Sequence, residues 1–285
     1  MPEAWEWDET LYRGSAPYYT RGRLPYAPGL AAELASALEL DGHGRLLDVG
    51  CGPGTLTLLL AHLFEEVVGV DPDQGMLAEA TRRANGAGVR SVRWMQSRAE
   101  DMPPGMGPFR VVAFAQSFHW MDRPRVAALV RDLLEPTGAL IHVSDVKEPL
   151  DEPDAPLADP LPPYDAIQDL VKQYLGPVRR AGQGVLLHGS PDGEADILRE
   201  AGFAGPRRLR IQARAVIVRA EDDLVAWTYS MSGSAPHLFS DRLAAFEADL
   251  RRLLREASPS RQFAERPPDT EVFIWRPQTS FTVRQ

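Results

Sequence analysis

Two periods of apolar residues alternate along this chain, and the places where one gives way to the other bound its elements. Leu46 to Val49 is an apolar run of strand length with Asp48 inside it. It stops at Gly50, Gly52 and Gly54, where a backbone turns tightly and can approach a ligand. Leucines at helical spacing follow over Thr55 to Phe64, and Val67 to Val70 is a second β-branched run that ends at Asp71. The result is one strand–helix–strand unit, whose ligand would lie beyond the carboxyl ends of the strands against the first turn of the helix. The same alternation predicts a helix over 30–40, a helix over 73–85 capped by Asp73, and strands over 91–95 and 111–115. A helix over 125–134 should end near Pro136 and Gly138, with a strand over 139–144 after it. Strands that alternate with helices imply a doubly wound, mostly parallel α/β sheet of Rossmann-like type.

From Lys147 to Pro163 prolines and acids break both periods, which predicts a surface loop or an insertion. A helix over 164–175, a crossover helix over 192–202 and a long edge strand over 208–219 come next. Helices over 221–232 and 241–257 then precede a last strand over 270–275. These boundaries suggest an N-terminal cap segment (1–44), a ligand-binding core (45–145), an insertion or cap (146–190) and a C-terminal part (191–285). The last returns to the sheet around a helical lid at about 221–257.

Composition narrows the function classes. With 285 residues and 44% apolar content the chain can bury a full α/β core with additions. A net charge of −9, with arginines scattered among acids, argues against a nucleic-acid surface, which needs clustered cations. The single Cys51 excludes an internal disulfide and a multi-cysteine metal site, so no metal is expected. No secretory or membrane-spanning apolar run is present, which points to a cytoplasmic protein. Monomer and homodimer stay equally open.

The charges beside the glycine turn decide between two nucleotide ligands. A dinucleotide needs G-x-G-x-x-G, whereas Thr55 stands where the last glycine would be. Asp48, just ahead of the turn, would repel a pyrophosphate and attract a cation, an interaction of roughly 1 to 4 kcal/mol at a few ångströms. S-adenosylmethionine is such a ligand, with an α-ammonium and a sulfonium. Asp71, about 20 residues past the first glycine, is placed for ribose hydroxyls under either reading.

LLDVGCGPGTLTLLLA, VVGVDPDQGML, RAEDMP and VVAFAQSFHWMD, in this order, resemble the class I S-adenosylmethionine-dependent methyltransferases. Within them the chain is similar to the small-molecule branch related to trans-aconitate methyltransferases. The motifs run from Arg45 to about Ser144, and YYTRGRLPY before them resembles the branch more weakly. The resemblance implies a seven-stranded sheet with an antiparallel last strand, S-adenosylmethionine as cofactor, and a small-molecule methyl acceptor.

By the same resemblance Asp48, Gly50, Gly52, Gly54, Asp71 and Pro72 would bind the cofactor, with Met76 on the adenine or simply in the core. Arg98 replaces an acid usual in the family, which leaves adenine to the Ala99 backbone or to Glu100. Gln116 would meet the methionine end, and Arg23 and Tyr19 belong to a segment that closes over the cofactor in this branch. Arg23 suits the methionine carboxylate through a bidentate pair.

His119 is the candidate general base, with wall-building as its other reading; Trp120 stands beside it. Tyr18, Trp120, Trp227 and Met231 are acceptor-side candidates, the last two spaced i and i+4 on a predicted helix, a stripe equally suited to core packing. Leu161-Pro162-Pro163-Tyr164 imitates the PPY of amino-methyltransferases, but it lacks the preceding amide or acid and does not follow the fourth strand. Methylation of O, N or C remains open, as do a non-transferring relative (a cyclase or a regulator) and, more remotely, an NAD(P)-dependent reductase.

Overall fold

The computed structural model of the chain describes residues 8, 10–146, 157–177, 180–181, 184–185 and 193–278. These fall into two compact units. A sheet unit is drawn from Gly29–Asp145, Ser190–Ile211 and Thr270–Gln285, and a helical unit from Met1–Pro28, Val146–Gly189 and Gln212–Asp269.

The sheet unit is built on seven strands: β1 (Arg45–Val49), β2 (Glu66–Asp71), β3 (Val92–Gln96), β4 (Phe109–Ala115), β5 (Leu134–Asp145), β6 (Phe203–Ile211) and β7 (Thr270–Pro277). Their order across the sheet is β3-β2-β1-β4-β5-β7-β6. β1 to β5 pair in parallel, and β7 runs antiparallel to both β5 and β6. The mostly parallel, doubly wound sheet with an antiparallel last strand is therefore as expected. β1, β2 and β4 are buried along nearly their whole length, as central parallel strands covered on both faces must be. Their apolar residues meet Val126, Ala127, Val130 and Leu133 of the helix Arg123–Leu133 and Leu198 of the helix Glu194–Glu200 in one core. The strand order changes its sense of progression between β1 and β4, which run parallel, and this opens a crevice at the carboxyl ends of those two strands.

Several boundaries differ from expectation. The expected strand over 208–219 is two pieces: β6 ends at Ile211, and Ile217–Ala220 pairs with Gln262–Glu265 in a separate two-stranded ladder of the helical unit. The backbone leaves the sheet where the Ala213 amide donates to Asp269 Oδ1 at 2.9 Å, a contact that no local alternation signals. β6 begins at Phe203 and carries Pro206, which an edge strand tolerates. β5 begins at Leu134 rather than at 139, with an irregularity in its register to β4 between Phe109 and Val111 that absorbs Pro136 and Gly138. The helix over 55–64 closes at Leu60 and tightens into a 3₁₀ turn, Ala61–Leu63. The helix expected to Ser232 ends at Tyr229, and the one expected from Asp241 starts at Leu243. Of the expected loop over 147–163, residues 147–156 lie outside the described residues; 157–163 form neither helix nor strand.

The helical unit packs the helices Ala16–Gly22, Tyr164–Leu175, Glu221–Tyr229 and Leu243–Ala257 around Ile167, Leu224, Phe239, Phe246, Leu250 and Phe263. Phe239 stacks on Phe246 at 4.0 Å between ring centroids. Gly22 lets two backbones touch, since a Cβ there would lie 2.5 Å from the Ala226 carbonyl. A buried polar knot ties the unit together. Arg219 donates to Glu265 Oε1 (2.8 Å), to the Gly22 carbonyl (2.7 Å) and to the Asp223 carbonyl (3.0 Å), and the Tyr164 hydroxyl donates to the Glu265 carboxylate at 2.6 Å.

Candidate active site

The crevice of the sheet unit is floored by β1 and the turn that follows it. Gly50, Gly52 and Gly54 all hold positive φ (70°, 53° and 74°), a conformation that costs other residues roughly 1–2 kcal/mol each. Their environments differ. A Cβ on Gly50 would sit 2.5 Å from Ser117 Cβ, and one on Gly54 would sit 2.6 Å from the Trp94 ring, so these two are held by packing. A Cβ on Gly52 would meet nothing within 4 Å among the described residues, which leaves open space over the middle of the turn. The Gly50 and Cys51 amides both donate to the Val70 carbonyl, pinning the turn to β2. Cys51 itself is buried and its thiol is pushed well up by burial, as befits packing rather than nucleophilic chemistry.

Two carboxylates support this turn. Asp48 is fully buried under it; Oδ2 accepts from the Thr57 hydroxyl at 2.5 Å, and Oδ1 has no partner among the described residues. Burial, with the Asp71 charge adding to it against the Thr57 bond, raises the Asp48 carboxyl to about 7. Asp71 closes β2: Oδ2 accepts from the Gly52 amide at 2.8 Å and Oδ1 from the Asp73 amide at 2.9 Å. Burial raises it to about 6 against those two bonds. Each Asp71 oxygen keeps a lone pair for a further donor. Asp73 caps the next helix by accepting from the Met76 amide, as expected, and Met76 is buried beneath it. The Pro72 carbonyl accepts from Gln96 at 3.3 Å.

Ala99 and Glu100 lie in a 3₁₀ turn after β3. Glu100, a candidate for the adenine, has structural partners: the side chain is buried, Oε1 accepts from the Asp122 amide at 2.8 Å, and Oε2 lies 3.5 Å from Arg98. The residue that departs from the family pattern is thus the salt-bridge partner of Glu100. Gln116, directly after β4, holds φ 52°, a strained value for a non-glycine; its amide donates to the Val143 carbonyl and its side chain to Asp145 Oδ2 at 2.8 Å. His119 and Trp120 follow in a 3₁₀ turn, half-buried, with ring centroids 4.6 Å apart. Nearby His142 is buried and its imidazole is pushed down to about 3, chiefly by burial and then by His119, so it is neutral at physiological pH.

Sequence reasoning missed two supports. The Ser117 hydroxyl donates to the Val49 carbonyl at 2.5 Å and its Cβ faces Gly50, so it locks the turn's shape. Thr57 was legible in principle, as a polar residue in the leucine stripe TLTLLL.

In the helical unit Arg23 donates to the Ser230 carbonyl at 2.9 Å with its guanidinium over the Tyr19 ring at 4.8 Å, while its Nε is buried without a partner among the described residues. Tyr18 packs on Tyr229 at 5.0 Å and Trp227 on Tyr164 at 4.4 Å. Met231 falls beyond the end of its helix, yet it and Trp227 line the same cavity. Tyr164, the tyrosine of the false PPY, has its hydroxyl committed to Glu265.

An acid–glycine-turn–acid arrangement at the switch point of a 3-2-1-4-5-7-6 sheet defines a class I S-adenosylmethionine-dependent methyltransferase domain. Residues 46–138 match the family described as "Methyltransferase domain", and this chain carries such a domain. The chain is 31% identical over 124 residues to a probable S-adenosylmethionine-dependent methyltransferase, CRG1, of Saccharomyces cerevisiae, covering 42% of each chain. It is 34% identical over 140 residues to a trans-aconitate 2-methyltransferase of Methylobacterium nodulans, covering 47% of this chain and 48% of that one. A ubiquinone biosynthesis O-methyltransferase of Azorhizobium caulinodans is 36% identical over 98 residues, 34% of this chain and 38% of that one. The chain thus spans half or less of the length of these curated relatives. Among solved structures, the [4+2]-cyclase SpnF shares the fold with a TM-score of 0.56 at 19% identity, covering 95% of this chain and 96% of that one. The YcgJ protein of Bacillus subtilis does so with a TM-score of 0.51 at 17% identity, covering 88% and 98%.

Proposed function

We propose that the protein transfers a methyl group from S-adenosylmethionine to an oxygen, nitrogen or carbon of a small-molecule acceptor in the cytoplasm. The observation that carries this reading is the unpartnered Oδ1 of the buried Asp48 beneath a glycine turn with open space above Gly52. A buried, partnerless acceptor atom is costly and calls for a cationic or N–H donor. The donor set fits that ligand: Asp48 answers a positive charge, the Asp71 lone pairs answer ribose hydroxyls, and the turn approaches closely without side chains. Ala99 offers backbone to the adenine, since Glu100 is spent on Asp122 and Arg98. The strained Gln116 backbone and its side chain frame the methionine end. When bound, S-adenosylmethionine supplies a methyl group on a sulfonium whose departure leaves a neutral thioether. The protein's part is then alignment and exclusion of water. His119 would accept a proton where the acceptor must lose one. The net charge of −9 favours a small metabolite over nucleic acid.

Incubation with methyl-labelled donor and a fraction of small metabolites tests the reading: label should appear in a small molecule and depend on the protein. Label in none, with donor bound, would instead favour a non-transferring member of the fold, such as a cyclase or a regulator. In the same assay His119→Ala should lower turnover at saturating acceptor about 10²-fold or more; unchanged turnover would remove the general base.

The raised carboxyls give donor affinity a definite pH dependence. Without ligand the native Asp48 holds a proton between about pH 4 and 7 that the unfolded chain has lost, so this group's contribution to stability falls as pH rises through that window. A cation selects the ionised form. Donor affinity should therefore be level above pH 7 and fall roughly tenfold by pH 6, with a further loss as Asp71 protonates. Asp48→Asn should bind weakly and flatten the first of these steps, as titrations between pH 5.5 and 8.5 would show.

A further inference from the structure

The helical unit contains a cavity of about 170 Å³ whose walls, among the described residues, come from that unit. Ile167, Val171 and Leu175 form one side, from the helix Tyr164–Leu175, and Trp227 and Met231 the other. Two wall hydroxyls are already satisfied within the protein. Thr228 Oγ1 donates to the Leu224 carbonyl at 2.9 Å, and Ser234 Oγ to the Thr228 carbonyl at 2.5 Å. The surface offered to a guest is therefore mostly carbon. Trp227 is set in place by Tyr164, whose hydroxyl is in turn fixed on Glu265, so the aromatic wall is preformed. A lined, ready aromatic wall with few polar groups is the construction of a small-molecule site.

Size and charge narrow the guest. An apolar cavity of about 150 Å³ accommodates benzene, so this one takes a single ring or a branched chain of similar bulk. Lys172 brings a cation to the lining, and Gln168 an amide. The Lys172 ammonium lies 2.8 Å from Asp169, but both side chains are more than half exposed, and such a pair is weak enough to yield to a better-placed anion. We infer that this cavity binds a small organic anion, its ring or branched body against Trp227 and Met231 and its carboxylate-like head at Lys172. The inference goes beyond methyl transfer, because occupancy here requires no donor.

Phenylacetate and its neutral counterpart 2-phenylethanol, titrated into the whole protein and followed by ligand-observed NMR, test it. Phenylacetate should saturate with Kd on the order of 0.1–1 mM. Lys172→Gln, a surface change, should weaken phenylacetate about fivefold or more and leave 2-phenylethanol unchanged. Val171→Phe and Met231→Trp fill the cavity, and whichever keeps the parent Tm should abolish binding of both probes. The wild-type chain gives an independent readout: Lys172 is one of two lysines among the 31 Lys and Arg residues, so phenylacetate should slow amine acetylation at Lys172 and not at Lys147. No saturable binding, or binding indifferent to Lys172→Gln and to the filling variants, would overturn the inference. Donor binding measured on the same sample tells that failure apart from a failure of the methyltransferase reading.

Discussion

Replacing Gly52 by alanine is expected to remove S-adenosylmethionine binding, by 10²-fold or more, from a protein that remains folded, while the same change at Gly50 should damage the fold itself. Both residues hold positive φ, so each variant bears roughly 1–2 kcal/mol of backbone strain. At Gly52 that is the whole cost to stability, because the new methyl meets no atom of the described residues within 4 Å. The methyl instead occupies the space above the turn that the ligand would fill. At Gly50 the methyl would lie 2.5 Å from Ser117 Cβ, on a residue whose hydroxyl is tied to Val49. Overpacking of that kind adds about 1–3 kcal/mol, for a total of about 2–5 kcal/mol and a Tm lower by roughly 5–15 °C. Thermal unfolding and donor titration of the two variants side by side separate the effects. If Gly52→Ala bound the donor normally, the space above the turn would not be the ligand site.

The second large effect belongs to the helical unit. Glu265→Ala should destabilise the protein by about 3–5 kcal/mol, because it strands the Arg219 guanidinium in a buried place. The Tyr164 hydroxyl would lose its acceptor at the same time. Arg219 has other partners, the Gly22 and Asp223 carbonyls, but neither carries a full negative charge. Replacing both charges, as Arg219→Met with Glu265→Leu, should recover much of the loss, since a buried ion pair exchanged for apolar bulk is often neutral in stability. Chemical denaturation of the single and double variants provides the comparison. A single variant as stable as the parent would show that the pair is not the tie its geometry suggests.

How much of this was legible in the sequence follows from the range of the interactions concerned. β1, β2 and β4 were plain because buried parallel strands are written as unbroken apolar runs, and the turn between β1 and its helix because glycine alone tolerates three positive φ values in five residues. The Asp73 cap was legible for the same reason, as its hydrogen bond spans three residues. Contacts between distant positions were not. Alternation from Arg208 to Arg219 runs smoothly across a break set by Asp269, 56 residues past Ala213. Gln262–Glu265 is too short to announce itself, and exists because it pairs with Ile217–Ala220. At the site, the acids were found but not all their duties. Asp71 stands where the spacing put it, yet the sequence did not reveal that it holds the Gly52 amide. Glu100 read as a candidate contact, and the sequence did not reveal that it also braces the Asp122 amide. Trp227 and Met231 line one cavity although the helix ends between them, so the i, i+4 spacing is not what brings them together.

Calorimetric titration of the purified protein with S-adenosylmethionine at pH 8, beside NADH and NADPH, tests the central claim most directly. One saturable S-adenosylmethionine site per chain is expected, weakened in Asp48→Asn, with no heat of binding from either dinucleotide. Saturable dinucleotide binding with none for S-adenosylmethionine would contradict that claim.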